Sequence, residues 1–459
     1  MHFFKSLMSP IDLQKTRKNR TATVFESIEK WNANIPELYR IVKFQKMTAS
    51  PYSFFRGTNH VFWSDFVGSW RLRTYGNENT RTWIQADAHV YNMGALLNHK
   101  DEVIFGFNDF DECVISDYQY DVWRMAVSIV LVAREFKLLK WHEISEMLNV
   151  FALNYIGYLL SDNHIENDFH EVHFTKDNTS GQLQKFLDKV SSKQNREKML
   201  DKWTVMDGQE RKFNFEYRKL GRVTEEEKNN IIAAFPQYIQ TLESEYKNFD
   251  ASFFKIKDIA RRLLAGTGSL GVNRYYVLID GHRTDFDKEH DDIILDIKKQ
   301  DSPTAYHFFE QDYMLAYNKQ YQNHAQRHQE ACKALSEDPD NFLGWIKLAD
   351  GYYSVRERSP FKKEFPCEKL DTEKKFDKMA EQWGKILAQE HKRSARRLYP
   401  QKNFFEANVA KMVHGQETLF ADLIREVAFS YANQVQEDWF YYVKNMAQKY
   451  HIYSQIESI

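Results

Sequence analysis

Two polar motifs that lie far apart in the chain constrain its fold more than any other feature. The first motif comprises residues 87–92, DAHVYN, and residues 108–112, NDFDE. The second is a glycine loop at residues 266–271, GTGSLG, and the basic end of a later strand at Lys298. A fold that uses both motifs in one site must bring the early and late parts of the chain together across a shared cleft.

Composition sets the broad class. With 459 residues the chain can form one two-lobed domain or two or three smaller ones. Apolar residues make up 42% and aromatic residues 15%, which argues against disorder. The net charge of −2 indicates no general attraction to nucleic acid. The three cysteines form no CxxC pair, which argues against a zinc ribbon and against a disulfide framework.

Targeting signals are not recognisable in the sequence. Residues 1–10 lack the apolar stretch of a signal peptide. No run reaches the roughly 18 apolar residues that a membrane helix needs. We therefore expect a cytoplasmic protein that binds neither membrane nor nucleic acid.

Hydrophobic periodicity predicts an α+β fold with helices near both ends and a β-rich region between them. Helices are predicted at 20–46, 117–136, 141–160, 224–249, 317–336, 371–396 and 404–449. Strands are predicted at 81–86, 102–108, 253–264, 274–280, 292–298, 344–348 and 352–356. The aromatic segment 51–66 is predicted to be a loop, and 161–223 to be irregular or partly helical. Three regions follow: a helical lobe at 1–250, a β-rich lobe at 251–365, and helices at 366–459 that complete the helical lobe.

The spacing of the acidic motif matches the needs of phosphoryl transfer. That chemistry requires a carboxylate to orient the attacking hydroxyl and oxygen ligands to hold Mg²⁺ on the phosphates. The pattern DxxxxN places Asp87 as the base and Asn92 as a metal ligand on one loop. Asp109 follows the next strand as a second metal ligand, and Asp111 is a third candidate. A capped turn with surface carboxylates remains the alternative.

His89 strengthens this interpretation. The pattern Asp-x-His-x-x-Asn resembles the catalytic loop of small-molecule kinases of the aminoglycoside and choline type. The resemblance implies that His89 belongs to the catalytic motif, where we expect it to hold the loop rather than to react. It also implies that Asp121 is a structural residue at a helix start. Gln85 and Ala86 replace the usual His-Gly pair before the catalytic Asp.

The glycine loop gains meaning from the strand that follows it. Residues 274–279, RYYVLI, predict a strand, whereas a dinucleotide-binding loop precedes a helix. The absence of GK[ST] excludes a Walker loop. Backbone amides of a loop between two strands can cover phosphates, and we expect this role for Gly266, Gly268, Ser269 and Gly271.

A lysine and a glutamate complete the predicted nucleotide site. Lys298 ends the next strand and is expected to contact the α- and β-phosphates. Glu330, or failing that Glu310, is expected to hold Lys298. Asp296 departs from the small apolar residue that kinases have two positions before this lysine. An exposed hairpin with a surface lysine remains the alternative.

Taken together, these motifs resemble a bacterial family known as domain of unknown function 2252, which is grouped with the kinase-like folds. The resemblance covers roughly residues 9–444, and its landmarks are residues 50–57, 87–92, 108–112, 265–271, 323–327 and 342–345. It implies a protein-kinase-like two-lobed α+β fold that is circularly permuted, with the helical-lobe motifs first, and it implies ATP and Mg²⁺. Arg56 lies in one landmark and is a candidate clamp for a phosphate or substrate; a buried structural arginine is an equal alternative.

The predicted function is ATP- and Mg²⁺-dependent phosphoryl transfer to a hydroxyl of an unknown small molecule or protein. Three alternatives remain open. A pseudokinase would bind nucleotide without turnover. A nucleotidyl transferase would bind ATP in reverse and use nearly the same residues. A metal hydrolase would be built on Asp87, His89, Asp109 and Asp111.

Overall fold

The computed structural model of the protein has a mixed α+β fold with antiparallel sheets. It describes residues 10–98, 100, 102–136, 139–161, 172–243, 245–249, 252–263, 271–281, 292–318, 321–336, 340–399, 401 and 403–452, with the side chains of all but 10–19, 245–246 and 315–318.

The α-helices are α1 (Pro10–Trp31), α2 (Glu37–Met47), α3 (Pro51–Gly57), α4 (Asn59–Phe66), α5 (Leu72–Tyr75), α6 (Gln119–Glu135), α7 (Trp141–Leu160), α8 (Gly181–Lys193), α9 (Arg196–Trp203), α10 (Glu225–Gln240), α11 (Gln311–Asn318), α12 (His324–Ser336), α13 (Glu373–Leu398), α14 (Phe404–Val413) and α15 (Glu417–Tyr450). The strands are β1 (Arg81–Ile84), β2 (Met93–Leu97), β3 (Val103–Phe107), β4 (Val114–Asp117), β5 (Thr204–Asp207), β6 (Glu210–Phe213), β7 (Leu220–Arg222), β8 (Ile256–Arg262), β9 (Arg274–Ile279), β10 (Ile293–Lys299), β11 (Gly344–Leu348), β12 (Gly351–Glu357) and β13 (Lys363–Glu364).

A six-stranded antiparallel sheet dominates the middle of the chain, in the order β11-β12-β10-β9-β8-β7. Its central strands bear apolar residues on both faces, and these residues pack in two separate cores. Val277 and Leu295 lie in a core with residues of α10, whereas Tyr276 and Ile294 lie in a second core with residues of α9 and β6. The edge strand β7 comes from before residue 251, so the sheet extends beyond the predicted β-rich region.

The helical part of the fold combines elements from both ends of the sequence. Helix α13 packs along α7, and α15 packs against both α6 and α7. Every residue of α6 from Gln119 to Ala133 is buried. One hydrophobic core contains buried side chains from both the early and the late parts of the sequence, with Val24 as its first member and Ile452 as its last. None of the helices in the described part of the chain is both long and apolar enough to traverse a lipid bilayer.

Several predicted elements differ from the structure. The helix predicted at 404–449 is interrupted between α14 and α15, and the helix predicted at 224–249 ends at Gln240. The helix predicted at 20–46 is broken between α1 and α2, and Pro36 stands at the start of α2 because it lacks an N–H for a helix interior. The predicted loop at 51–66 forms α3 and α4. Ser50 caps α3 by accepting a hydrogen bond from the N–H of Ser53, and Pro51 occupies the first turn. The helix predicted at 317–336 is divided between α11 and α12.

Candidate functional site

A tight turn after β1 presents Asp87. The N–H groups of Gln85 and Ala86 donate to the carboxylate of Asp121 at 2.6 and 2.9 Å. Asp121 thus has the structural role that the resemblance implies. Ala86 adopts a left-handed conformation with φ of 57°, which glycine adopts at no steric cost and other residues adopt rarely. Its carbonyl accepts hydrogen bonds from Asn59 and Trp63, each at 3.2 Å.

Arg124 of α6 forms an ion pair with Asp87. Its Nε donates to Oδ1 of Asp87 at 2.8 Å, and its Nη2 contacts the same oxygen. Arg124 is fully buried, with its guanidinium 4.2 Å from the ring centre of Phe55 and 5.0 Å from that of Phe62. Burial raises the pKa of Asp87, and the charge of Arg124 opposes that rise. The Oδ1 atom is thereby engaged, and Oδ2 remains for a ligand in the cleft.

His89 supports the loop. It is buried, its Nδ1 lies 3.0 Å from the hydroxyl of Tyr52, and its Nε2 lies 3.8 Å from Oδ2 of Asp87. Burial lowers the pKa of His89 well below its usual range, and the charges of Arg56 and Arg124 lower it further. A neutral imidazole between Tyr52 and Asp87 fits the predicted loop-holding role.

Asn92 and Asp109 face the same cleft from neighbouring loops. The amide nitrogen of Asn92 lies 3.4 Å from the carbonyl oxygens of both Asp87 and Asp109, and donates to them. This leaves Oδ1 of Asn92 for a ligand. Burial would raise the pKa of Asp109, but the charges of Lys298, Lys362 and other nearby cations hold it well below its usual range. Asp109 is therefore a stable anion.

Lys298 reaches this group from the other side of the cleft. It stands on β10 of the six-stranded sheet, its ammonium contacts Oδ2 of Asp111, and it lies 3.7 Å from Oδ1 of Asp109. The other oxygen of Asp111 accepts a hydrogen bond from Gln300 at 2.9 Å. Both oxygens of Asp111 are engaged by Lys298 and Gln300, and its role as a metal ligand stays a prediction.

The predicted partner of Lys298 needs correction. Glu330 forms an ion pair with Lys333 at 2.9 Å on its own helix, and Glu310 is exposed outside the cleft lining. Among the residues described, the carboxylates that contact Lys298 are those of Asp109 and Asp111. The side chain of Glu330 contacts Lys333 on α12, so the predicted pair of Glu330 and Lys298 is not formed.

Helix α12 instead supports the acidic loop through Arg327. This buried side chain donates to the carbonyls of Cys113 at 2.5 Å and Asp111 at 2.6 Å. His328 places Nε2 at 3.7 Å from Oδ1 of Asp111. Sequence reasoning gave neither residue a role, although residues 323–327 stood out as a landmark of the family.

Glu390 is a second residue that sequence reasoning missed. It stands on α13, is buried, and accepts hydrogen bonds from the N–H of Phe107 at 3.2 Å and from Nε2 of Gln85 at 3.3 Å. Burial raises its pKa to about 8. Through these two bonds a C-terminal helix fixes both the strand before Asp109 and the turn before Asp87.

The predicted glycine loop is only partly described. Gly266, Gly268 and Ser269 lie outside the described residues. Gly271 has φ of +87°, and a Cβ there would lie 2.9 Å from Cγ2 of Ile35. This position therefore requires glycine for both its conformation and its close approach to the connection between α1 and α2.

The described residues enclose a cleft of about 760 Å³ between the sheet and the helical part. Asp87, Asn92, Asp109 and Lys298 all line it. An aromatic group lines it as well: Trp31 stacks on His60 with ring centres 4.9 Å apart, and His307 and Phe308 pack around Trp31.

Two further charged residues lie at or near the cleft. Glu112 lines it, and burial together with the charge of Asp87 raises the pKa of Glu112 to about 7. Arg56 is half-buried, and its charge lowers the pKa of Asp87. This arginine forms no hydrogen bond or ion pair with the described part of the chain, which leaves the clamp role open to it.

The donor set suits Mg²⁺. Asp109 and Oδ1 of Asn92 are hard oxygen ligands, and Mg²⁺ in nucleotide sites is held by one or two such groups together with phosphates and water. No group of three or more His, Cys, Asp or Glu side chains able to hold a metal occurs among the described residues, so an all-protein metal cage is not formed there.

Comparison with known protein families gives one match, which covers most of the chain. The model of a bacterial family described as "Uncharacterized protein conserved in bacteria (DUF2252)" matches residues 34–445. No curated protein and no solved structure matches the chain.

Proposed function

The chain belongs to this bacterial family, and we propose that it is a kinase-like transferase that uses ATP and Mg²⁺ to modify a hydroxyl of a small molecule or protein. The proposal includes a circularly permuted kinase-like arrangement, with the sheet as the nucleotide lobe. One observation carries it: Lys298 of the sheet faces Asp109 and lines the same cleft as Asp87 and Asn92. Phosphoryl transfer is the reaction that the sequence predicts.

Each residue has a task that its surroundings support. Asp87, anchored through Oδ1 by Arg124, would orient the acceptor hydroxyl with Oδ2 and take its proton. Asn92 and Asp109 would hold Mg²⁺, which when bound neutralises charge on the phosphates. Lys298 would exchange its contact with Asp111 for a phosphate oxygen.

Two of the alternatives lose support from particular contacts. Asp296 and the missing His-Gly pair favoured a pseudokinase, but Arg274 pairs with Asp296 through Nε at 2.6 Å and through Nη2. Its charge is thereby neutralised and does not repel a phosphate. The metal hydrolase required Asp87, His89, Asp109 and Asp111 as a ligand set, and no group of three or more His, Cys, Asp or Glu side chains placed to hold a metal occurs among the described residues.

The test is incubation with Mg²⁺ and ATP labelled at either the α- or the γ-phosphorus, in the presence of a metabolite pool. We expect label transfer by the parent protein. Asp109→Asn should lower transfer at least about tenfold, or 1.4 kcal/mol, because it removes a metal ligand, and Lys298→Met should do the same by removing a phosphate contact. Asp301→Asn is the matched control, since Asp301 is an exposed carboxylate in the same cleft with no assigned task.

The outcome that contradicts the proposal is equally specific. If Asp109→Asn and Asp301→Asn have equal rates, Asp109 has no part in the chemistry. If the parent protein binds no Mg²⁺·ATP in equilibrium dialysis, the nucleotide function itself is rejected.

A further inference from the structure

The aromatic group in the cleft has no task in the proposed reaction. Trp31 stacks on His60 with ring centres 4.9 Å apart and ring planes 3° apart. His307 meets the indole edge-on at 5.0 Å, and Phe308 lies 6.4 Å from it. All four side chains line the cleft, and Trp31 is 37% exposed. A partly exposed indole among other rings is a surface on which an aromatic ring of a ligand can stack.

His60 gives a second indication of a ligand. It is 4% exposed, it lines the cleft, and its Nε2 has no hydrogen-bond partner in the described part of the chain. Burial, with the charge of Lys43, lowers the pKa of His60 to about 3, so the imidazole stays neutral and stacks as an aromatic ring. Buried polar atoms are nearly always paired in native proteins, so an unpaired one at a cleft indicates a partner that a ligand supplies.

The aromatic group is built on the helix that holds the turn before Asp87. Asn59 of α4 donates to the carbonyl of Ala86 at 3.2 Å, and His60 follows Asn59 directly. In the proposed reaction the acceptor hydroxyl must reach Asp87, whereas the phosphates bind Lys298 on the sheet. The position of the rings on the Asp87 side therefore favours the acceptor, and not the nucleobase, as their ligand.

The segment that carries His307 and Phe308 is tied to the acidic loop. It begins at Thr304, whose N–H donates to the carboxyl group of Glu112 at 2.7 Å. Glu112 lines the cleft, and the charge of Asp87 acts on it, so the two carboxyl groups lie near each other. The path from Asp87 to the rings thus passes a polar group that can bind a substituent of the acceptor.

We infer that the acceptor is a small molecule with an aromatic ring, which stacks in the aromatic group of Trp31 and His60 while its hydroxyl meets Asp87. This inference rests on the proposed function and names the class of substrate within it. Nucleosides and phenolic compounds belong to this class, whereas aliphatic polyols do not.

Trp31→Ala tests the inference with two readouts. Calorimetric titration with Mg²⁺·ATP measures the nucleotide alone, and label transfer from ATP at increasing metabolite-pool concentrations measures the acceptor. The variant should raise the pool concentration for half-maximal transfer at least about fivefold and leave the affinity for Mg²⁺·ATP within about twofold, because the indole stacks on the acceptor. Trp31→Phe keeps a ring at this position and should stay close to the parent in both readouts.

The metabolite pool itself provides a test that needs no variant. Activated charcoal adsorbs aromatic compounds, so a pool passed over charcoal before labelled ATP is added should lose most of its acceptor activity. The material eluted from the charcoal should restore it. For the first test, Trp70→Ala is the matched control, because it removes a 60% exposed tryptophan that does not line the cleft and should change neither readout.

Each contrary result has a definite consequence. If Trp31→Ala weakens Mg²⁺·ATP at least about fivefold and leaves inorganic tripolyphosphate unchanged, the stacked ring is the nucleobase, and the aromatic acceptor is rejected while the proposed function stands. The same holds if the charcoal-treated pool accepts label as well as the untreated pool, or if Trp31→Ala matches the parent in both readouts. A parent protein that binds no Mg²⁺·ATP or transfers no label rejects the proposed function, and the inference falls with it.

Discussion

Asp87 and Arg124 depend on each other at the residue scale. Arg124 is fully buried, and the carboxylate of Asp87 is its anionic partner at 2.8 Å. A buried charge whose partner is removed is costly, by several kcal/mol. Substitution of the proposed base therefore changes stability as well as chemistry, and any loss of activity must be separated from a loss of folded protein.

We predict that Asp87→Asn lowers the free energy of unfolding by about 3 kcal/mol, because it leaves the guanidinium of Arg124 uncompensated. Adding Arg124→Met should recover most of this loss, since the methionine fits the space between Phe55 and Phe62 without a charge. Urea unfolding followed by tryptophan fluorescence would measure the double-mutant cycle. Equal stabilities of the parent and Asp87→Asn would show that the ion pair contributes little.

Sequence reasoning predicted the residues of the candidate site that lie in short motifs. Asp87, Asn92 and Asp109 line one cleft with Lys298, as their spacing and the adjoining strands suggested. Arg124 was missed, although an arginine among the apolar residues of 119–136 is itself a signal, because a buried charge needs a partner. Glu330 was misplaced because the sequence does not tell which way a helix turns its side chains toward another element.

At the scale of elements, the close packing of α7 against α13 has an identifiable cause. Gly384 of α13 faces the backbone of α7, where an added Cβ would lie 2.5 Å from the carbonyl oxygen of Phe151 and 2.9 Å from the nitrogen of Tyr155. The two helices approach because this position has no side chain.

We predict that Gly384→Ala lowers the free energy of unfolding by about 2 kcal/mol or more, because backbone atoms cannot move aside as a flexible side chain can. The matched control is Gly157→Ala on α7, which meets no atom within 4 Å and should stabilise the protein by up to about 1 kcal/mol through helix propensity. Thermal unfolding of both variants checks the contrast, and a neutral Gly384→Ala would mean that the helices can separate at little cost.

The errors in element prediction also have physical causes. Apolar spacing continued across residues 32–36, so one helix was predicted where Pro36 separates two. The aromatic residues of 51–66 favour a loop, although Ser50 and Pro51 form a recognisable helix start. Its rings are buried around Arg124 and the Ala86 turn, which only the tertiary fold shows.

At the scale of the whole molecule, the proposed site is assembled by contacts between the two ends of the chain and the middle. Glu390 of α13 binds Gln85 and Phe107, and Lys298 of the sheet binds Asp111. The loops that present Asp87 and Asp109 are therefore held by a residue that follows them by hundreds of positions, and the site should lose its geometry when α13 detaches.

Protonation of Glu390 gives this coupling a measurable pH dependence. Its pKa is raised from 4.5 to about 8 in the folded protein by burial. A carboxyl with a raised folded-state pKa binds its proton more tightly in the folded chain than in the unfolded chain. Its contribution to stability is complete below pH 4.5 and is lost as the pH rises toward 8.

We predict that the parent protein loses on the order of 3 kcal/mol of stability between pH 5 and pH 8 relative to Glu390→Gln, because glutamine copies the neutral form of the side chain and does not titrate. Urea unfolding of both proteins at several pH values measures the difference. Glu373→Gln, which alters an exposed carboxylate at the start of the same helix, should run parallel to the parent because water solvates that group in both states. Parallel curves for the parent and Glu390→Gln would show that Glu390 is already ionised in the folded protein, and that its bonds to Gln85 and Phe107 are those of a carboxylate.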